Sequence, residues 1–107
     1  MTYYVSRINF LHVITNYKNA KTRKVHETGN PKGFKGLDGD LAADRMDDLE
    51  AALSVNDLSP LKSINLHPLK GDRSGQFAIN VNGPWRVVFT PTIDGFEGVE
   101  IANYHKG

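Results

Sequence analysis

The apolar residues of this chain change their spacing once, and that change restricts the fold more than any other feature. From Ile64 onward they alternate: Ile64 and Leu66, then Phe77, Ile79 and Val81, then Trp85, Val87 and Phe89, then Val99 and Ile101. A period of two predicts strands that bury one shared face. Before Ile64 the period is helical. Ala42, Met46, Leu49 and Leu53 recur at i, i+4, i+7 and i+11, one stripe for a core, while Asp44, Asp47, Asp48 and Glu50 face water. Asp38 or Asp40 caps this helix, and Asn56, Asp57, Ser59 and Pro60 end it. Ahead of it, residues 13–17 are β-prone, and Lys18 to Glu27 reads as a short basic helix stopped by Gly29 and Pro31. The predicted fold class is therefore α+β, with two N-terminal helices packed on an antiparallel sheet.

Turn length decides which side chains share a face. A two-residue hairpin at Asn82-Gly83 would set Ile79 opposite Arg86 and mix the apolar and polar sets. A three-residue turn, Asn82-Gly83-Pro84, instead pairs Val81 with Trp85, Ile79 with Val87 and Phe77 with Phe89. The longer turn is the expectation, with Trp85 in the core and a second hairpin at Asp94-Gly95. Parity then sends His67, Gln76, Asn80, Arg86 and Tyr104 to the opposite, open face.

Size and composition narrow the function classes. A length of 107 residues predicts one domain, residues 1–107, with one core. No apolar stretch approaches the ~20 residues that span a bilayer, and residues 1–14 lack the cleavage site of a secretory signal. With no cysteine, disulfides, thiolate metal sites and cysteine nucleophiles are excluded, in keeping with a reducing compartment such as the cytoplasm. The net charge of +1 hides an asymmetry: residues 1–37 hold seven Lys or Arg against the single Glu27, and residues 38–60 hold seven Asp or Glu against the single Arg45. Either two solvated faces attract each other, or Lys18, Lys21, Arg23, Lys24, Lys32 and Lys35 form a patch for a polyanion.

The open face carries chemistry. Beside it runs Lys70-Gly71-Asp72-Arg73-Ser74-Gly75, whose glycines free the backbone and whose Lys70 and Arg73 suit a phosphate, and the chain closes with Tyr104-His105-Lys106. Two imidazoles, a phenol and three cations suffice to cut RNA through attack of its own 2′-hydroxyl on the adjacent phosphate, with no metal or other cofactor required. The bland alternatives are a hydrogen-bonding surface His67, an Arg86 paired with Glu100 across the sheet, and solvated loop charges at Lys70 and Arg73.

These residues also resemble a known family. The run Leu66-His67-Pro68-Leu69-Lys70-Gly71-Asp72-Arg73, the strand Trp85-Arg86-Val87-Val88-Phe89 and the closing Tyr104-His105 look like the HigB branch of the RelE/ParE toxin superfamily, the plasmid maintenance killer proteins. Glu27-Thr28-Gly29 and Pro31-Lys32-Gly33-Phe34 extend the likeness across roughly residues 13–106. The resemblance implies a RelE-like, microbial-RNase-type fold and a ribosome-dependent endoribonuclease that cuts messenger RNA in the A site. It implies His67, Lys70, Arg86, Tyr104 and His105 as catalytic and Lys70, Arg73 and Arg86 as substrate-binding cations, to which the open face adds Asn80 and the basic patch adds Lys21 and Lys24 as substrate-binding candidates. His67 or His105 is the proton acceptor and the other the donor. A HigA-like helix-turn-helix antitoxin is the implied partner. A ParE-like gyrase poison and a module that only binds antitoxin or RNA are the competing readings.

Two differences from the family stand out. Met1–His12 precedes the strand near Val13, where relatives tend to start, and reads as an added strand, an antitoxin-contacting arm or an upstream start. Many relatives close with Asp-Tyr-His, whereas Asn103 stands here in place of the aspartate. An amide accepts a hydrogen bond but lacks the charge that raises a neighbouring imidazole's basicity. Asn103→Asp is therefore expected to cleave RNA faster than the wild type in a single-turnover assay; equal rates would remove this role for the missing carboxylate.

Overall fold

Residues 13–52, 54–58 and 64–103 are described by the structure, a computed structural model. Asn19 opens the first helix, α1 (Ala20–Thr28), its side chain accepting the Thr22 N–H at 2.9 Å, and Gly29 closes it. Asp38, and not Asp40, caps the second helix, α2 (Gly39–Ala51), by accepting the Leu41 N–H at 3.0 Å. Ala42, Met46 and Leu49 of the expected stripe are buried. Leu53, Ser59, Pro60 and the whole of residues 1–12 lie outside the described residues. The start of α2 abuts the end of α1: a Cβ on Gly39 would land on the carbonyl oxygen of Gly29.

Five strands follow in one sheet, β1 (Val13–Ile14), β2 (His67–Pro68), β3 (Phe77–Asn80), β4 (Trp85–Thr92) and β5 (Gly95–Asn103), in the order β1-β5-β4-β3-β2. Neighbours among β2 to β5 are antiparallel, as expected. The β-prone segment at 13–17 adds a parallel edge, with Val13 opposite Gly95, Ile14 opposite Phe96 and a further bridge from Tyr17 to Val99. Where β1 runs out, α1 supplies the missing acceptor: the Ile101 N–H donates to the buried Thr22 hydroxyl at 3.1 Å. A buried strand N–H left without a partner would cost about 1–3 kcal/mol.

The longer turn is the one adopted. Phe77 faces Phe89, Ile79 faces Val87, Asn80 faces Arg86, and the Val81 N–H donates to the Trp85 carbonyl at 3.0 Å. Its Asn82 accepts the Asp38 N–H at 2.8 Å and donates to the Gly36 carbonyl at 2.9 Å, so the turn also pins the approach to α2. The second hairpin turns at Ile93-Asp94, one residue earlier than expected, with Thr92 opposite Gly95. Beyond it the register slips: Val88 faces Glu100 but Thr90 faces Glu97, so Phe89 stands against both Gly98 and Val99. Gly98 has φ +61, the left-handed backbone such a bulge requires. The extra residue inverts parity, which turns Phe96 into the core, edge-on to Phe89, and leaves Glu97 exposed.

Both helices lie on the apolar face. Val25, Ala42, Met46 and Leu49 pack there with Ile64, Ile79, Val87, Phe89, Phe96, Val99 and Ile101. Trp85 packs against the same core as expected, edge-on to Phe34, and donates its indole N–H to the Lys35 carbonyl at 3.0 Å. Between the helices, the Tyr17 hydroxyl donates to His26 Nδ1 at 2.7 Å and His26 Nε2 donates to Asp47 at 2.8 Å, joining the sheet edge to α1 and α2. Among the described residues no helix is long and apolar enough to cross a membrane.

Gly39 gives this packing a sharp test. In an ordinary helix Gly→Ala stabilises by about 1 kcal/mol, but here the added methyl meets the Gly29 carbonyl. Gly39→Ala is expected to lower stability by about 1–3 kcal/mol in urea unfolding.

Candidate functional site

Residues directly opposite in a sheet share a face, so register alone assembles the site. One row runs His67, Ala78, Val88, Glu100, and the next runs Asn80, Arg86, Ala102. All lie on the side away from the helices. Two strand spacings and a two-residue offset place the His67 and Arg86 Cα atoms about 12 Å apart, room for a phosphate between two long side chains. The face is less polar than parity suggested. Ala78, Val88 and Ala102 are buried on it with Leu69 packed against them, a small apolar floor under the polar groups.

Arg86 is held by its own turn. Its Nη1 donates to the carbonyls of Gly83 and Trp85, each at 2.9 Å. That uses one nitrogen of the guanidinium; among the described residues the Nε and Nη2 edge makes no hydrogen bond, and this edge is the fork that grips a phosphate through two parallel bonds. The expected alternative, Arg86 against Glu100, is not formed, because Glu100 faces Arg73 at 3.6 Å. Arg73 also donates to Gln76 Oε1 at 3.2 Å. The loop carrying Lys70 is closed by Leu69 N–H to the Gln76 carbonyl at 2.9 Å, and Lys70 itself is exposed beside the face. Asn80 Oδ1, in the row of Arg86, is buried and accepts no hydrogen bond among the described residues.

His67 sits half-buried at the head of its row. Its Nδ1 lies 2.7 Å from the carbonyl oxygen of Asn65, the one residue other than glycine with positive φ among the described residues, at 50°. Asn65 is the site neighbour that motif reading passes over. An asparagine between two inward apolar residues, two positions before a histidine, was the available signal for it.

Other expected residues stand elsewhere. Tyr104 and His105 lie outside the described residues. Asn103 faces Trp85, so it belongs to the helix side of the sheet. Lys21 and Lys24 are exposed on α1, the layer opposite His67 and Arg86. Among the described residues no ion pair joins them to the acidic α2, and Lys21 Nζ lies 5.1 Å from the Phe34 ring centre. A cleft of about 610 Å³ opens between β1 and α1, lined by Thr15, Asn16, Tyr17, Asn19, Ala20, Arg23 and Glu27. Its two charged walls neutralise each other at 3.0 Å, and burial pushes the Tyr17 phenol up from its ordinary pKa, so it stays protonated. Of the sequence-predicted residues that cleft holds Arg23 of the basic patch and none of those expected on the open face.

No family model matches the chain. It is similar to a curated protein, the endoribonuclease HigB of Proteus vulgaris, with 32% identity over 77 residues, 72% of this chain and 83% of that protein.

The face also makes a prediction about charge. Glu100→Gln removes a carboxylate from beside Arg73 while keeping its shape, so affinity for a short single-stranded oligonucleotide should rise several-fold. The slope of log affinity against log salt should steepen by about 0.7 as one more cation is released to the strand. Unchanged binding would mean that this face does not meet nucleic acid.

Proposed function

Because the chain belongs to the HigB family of toxins, we propose that it is the endoribonuclease of a toxin–antitoxin pair and that it cuts messenger RNA held in the ribosomal A site. The observation that carries this reading is the sheet register, which sets the His67 imidazole and the Arg86 guanidinium on one face. A base there takes the 2′-hydroxyl proton; the 2′-oxygen bonds to phosphorus as the P–O5′ bond breaks, giving a 2′,3′-cyclic phosphate. An acid returns a proton to the departing 5′-oxygen. His67 and His105 are the two proton carriers. Arg86 and Lys70 meet the charge that builds on the phosphorane, and Arg73 and Asn80 hold the flanking nucleotide. Tyr104 stacks on or orients a base, and side chains alone carry the reaction.

A net charge of +1 binds free RNA weakly at physiological salt, so the strand is best presented by a larger polyanion. That is the physical argument for the ribosome as platform, and Lys21 and Lys24, on the opposite layer, meet a different stretch of RNA from the one being cut. A cognate HigA-like helix-turn-helix antitoxin restrains the activity in the cytoplasm.

In vitro translation of a defined message, with and without ribosomes and mapped by primer extension, tests this reading. Wild-type protein should give ribosome-dependent cuts. His67→Ala should lower the rate by about 10²–10⁴-fold, the usual worth of general acid–base catalysis, and Arg86→Gln by about 10²-fold. Intact message at inhibitory protein concentrations would sink the nuclease reading and favour gyrase or binding alone.

A further inference from the structure

Resting on the nuclease reading above, we propose that Asn65 is a positioning residue: its left-handed backbone aims a carbonyl at His67 Nδ1, fixes the proton there, and so makes Nε2 of the neutral ring the site's proton acceptor. A carbonyl oxygen can only accept a hydrogen bond. At 2.7 Å from that oxygen, Nδ1 must carry the hydrogen, and the lone pair of the neutral imidazole is then on Nε2. The ring therefore exchanges its reactive proton through Nε2.

The local chain explains why this contact forms. Ile64 is 1% exposed and Leu66 packs against the same core, so the segment is anchored on both sides of an exposed Asn65. Asn65 stands between these two anchors at φ 50°, immediately before Leu66 and the start of β2 at His67. Asparagine tolerates that region better than other residues with a Cβ, and a β-branched residue is an outlier there. The acceptor is neutral, so it selects a tautomer and a ring orientation without adding charge to the face.

The test uses the full chain labelled with ¹⁵N at histidine. In the wild type and in Asn65→Gly, which keeps the left-handed backbone, the neutral His67 ring should show a protonated Nδ1 and an unprotonated Nε2. In Asn65→Val that pattern should be lost, and cleavage should fall at least tenfold in the maximal rate with little change in the substrate concentration for half-maximal rate. Asn65→Gly should retain the wild-type rate. A wild-type ring protonated on Nε2 would overturn the proposal even if Asn65→Val fails to fold. So would Asn65→Val with wild-type spectrum and rate. The nitrogen assignment needs no RNA, so an inactive wild type with a protonated Nδ1 would overturn the proposed acceptor role through the nuclease reading itself, while leaving the carbonyl contact in place.

Discussion

The Asn82-Gly83-Pro84 turn sets the register on which the rest of the molecule depends. Because side chains alternate with a period of two, its three residues decide that Ile79 and Val87 look toward the helices while Asn80 and Arg86 look away. A turn one residue shorter would place Arg86 opposite Ile79 and dismantle the core and the candidate site together. The same turn reaches further than its strands. Its Asn82 clamps the residues before α2, and its Gly83 carbonyl holds one end of the Arg86 guanidinium. Core and site are two faces of one pairing.

That coupling explains why so much was legible in the sequence. The inward set Ile64, Ile79, Val87, Val99 and Ile101 and the helical stripe Ala42, Met46 and Leu49 all follow from periodicity, because burial leaves alternation as the economical pattern. Periodicity fails where the backbone inserts a residue. Phe96 is buried only because the Gly98 bulge inverts the parity of β5; counting back from Val99 in twos would bury Glu97. A glycine in a strand hints at a bulge but does not say which partner strand will accommodate it. The parallel pairing of β1 with β5 is also invisible locally, since two residues at one end of the chain meet a strand more than eighty positions away.

The face opposite the helices was legible in membership and not in detail. Parity sends His67, Asn80 and Arg86 there, but the partner of each charge depends on geometry that residue type does not encode. Glu100 turned to Arg73 and left Arg86 to the turn carbonyls, so among the described residues the Nε and Nη2 edge of the guanidinium makes no hydrogen bond. The strongly charged helices behave similarly. Their opposite charges suggested mutual attraction, yet among the described residues the ion pair between them is His26 with Asp47, and the lysines of α1 remain exposed on the layer opposite the site.

The central claim, that RNA is met by the face of His67 and Arg86, is tested most directly by mapping amide and side-chain NMR shifts on titrating a short RNA in which every 2′-hydroxyl is methylated and cleavage is blocked. The account predicts shifts at His67, Lys70, Gln76, Asn80, Arg86 and Glu100, the rows across β2 to β5. Shifts confined to α1 and residues 30–37, with those rows silent, would contradict it.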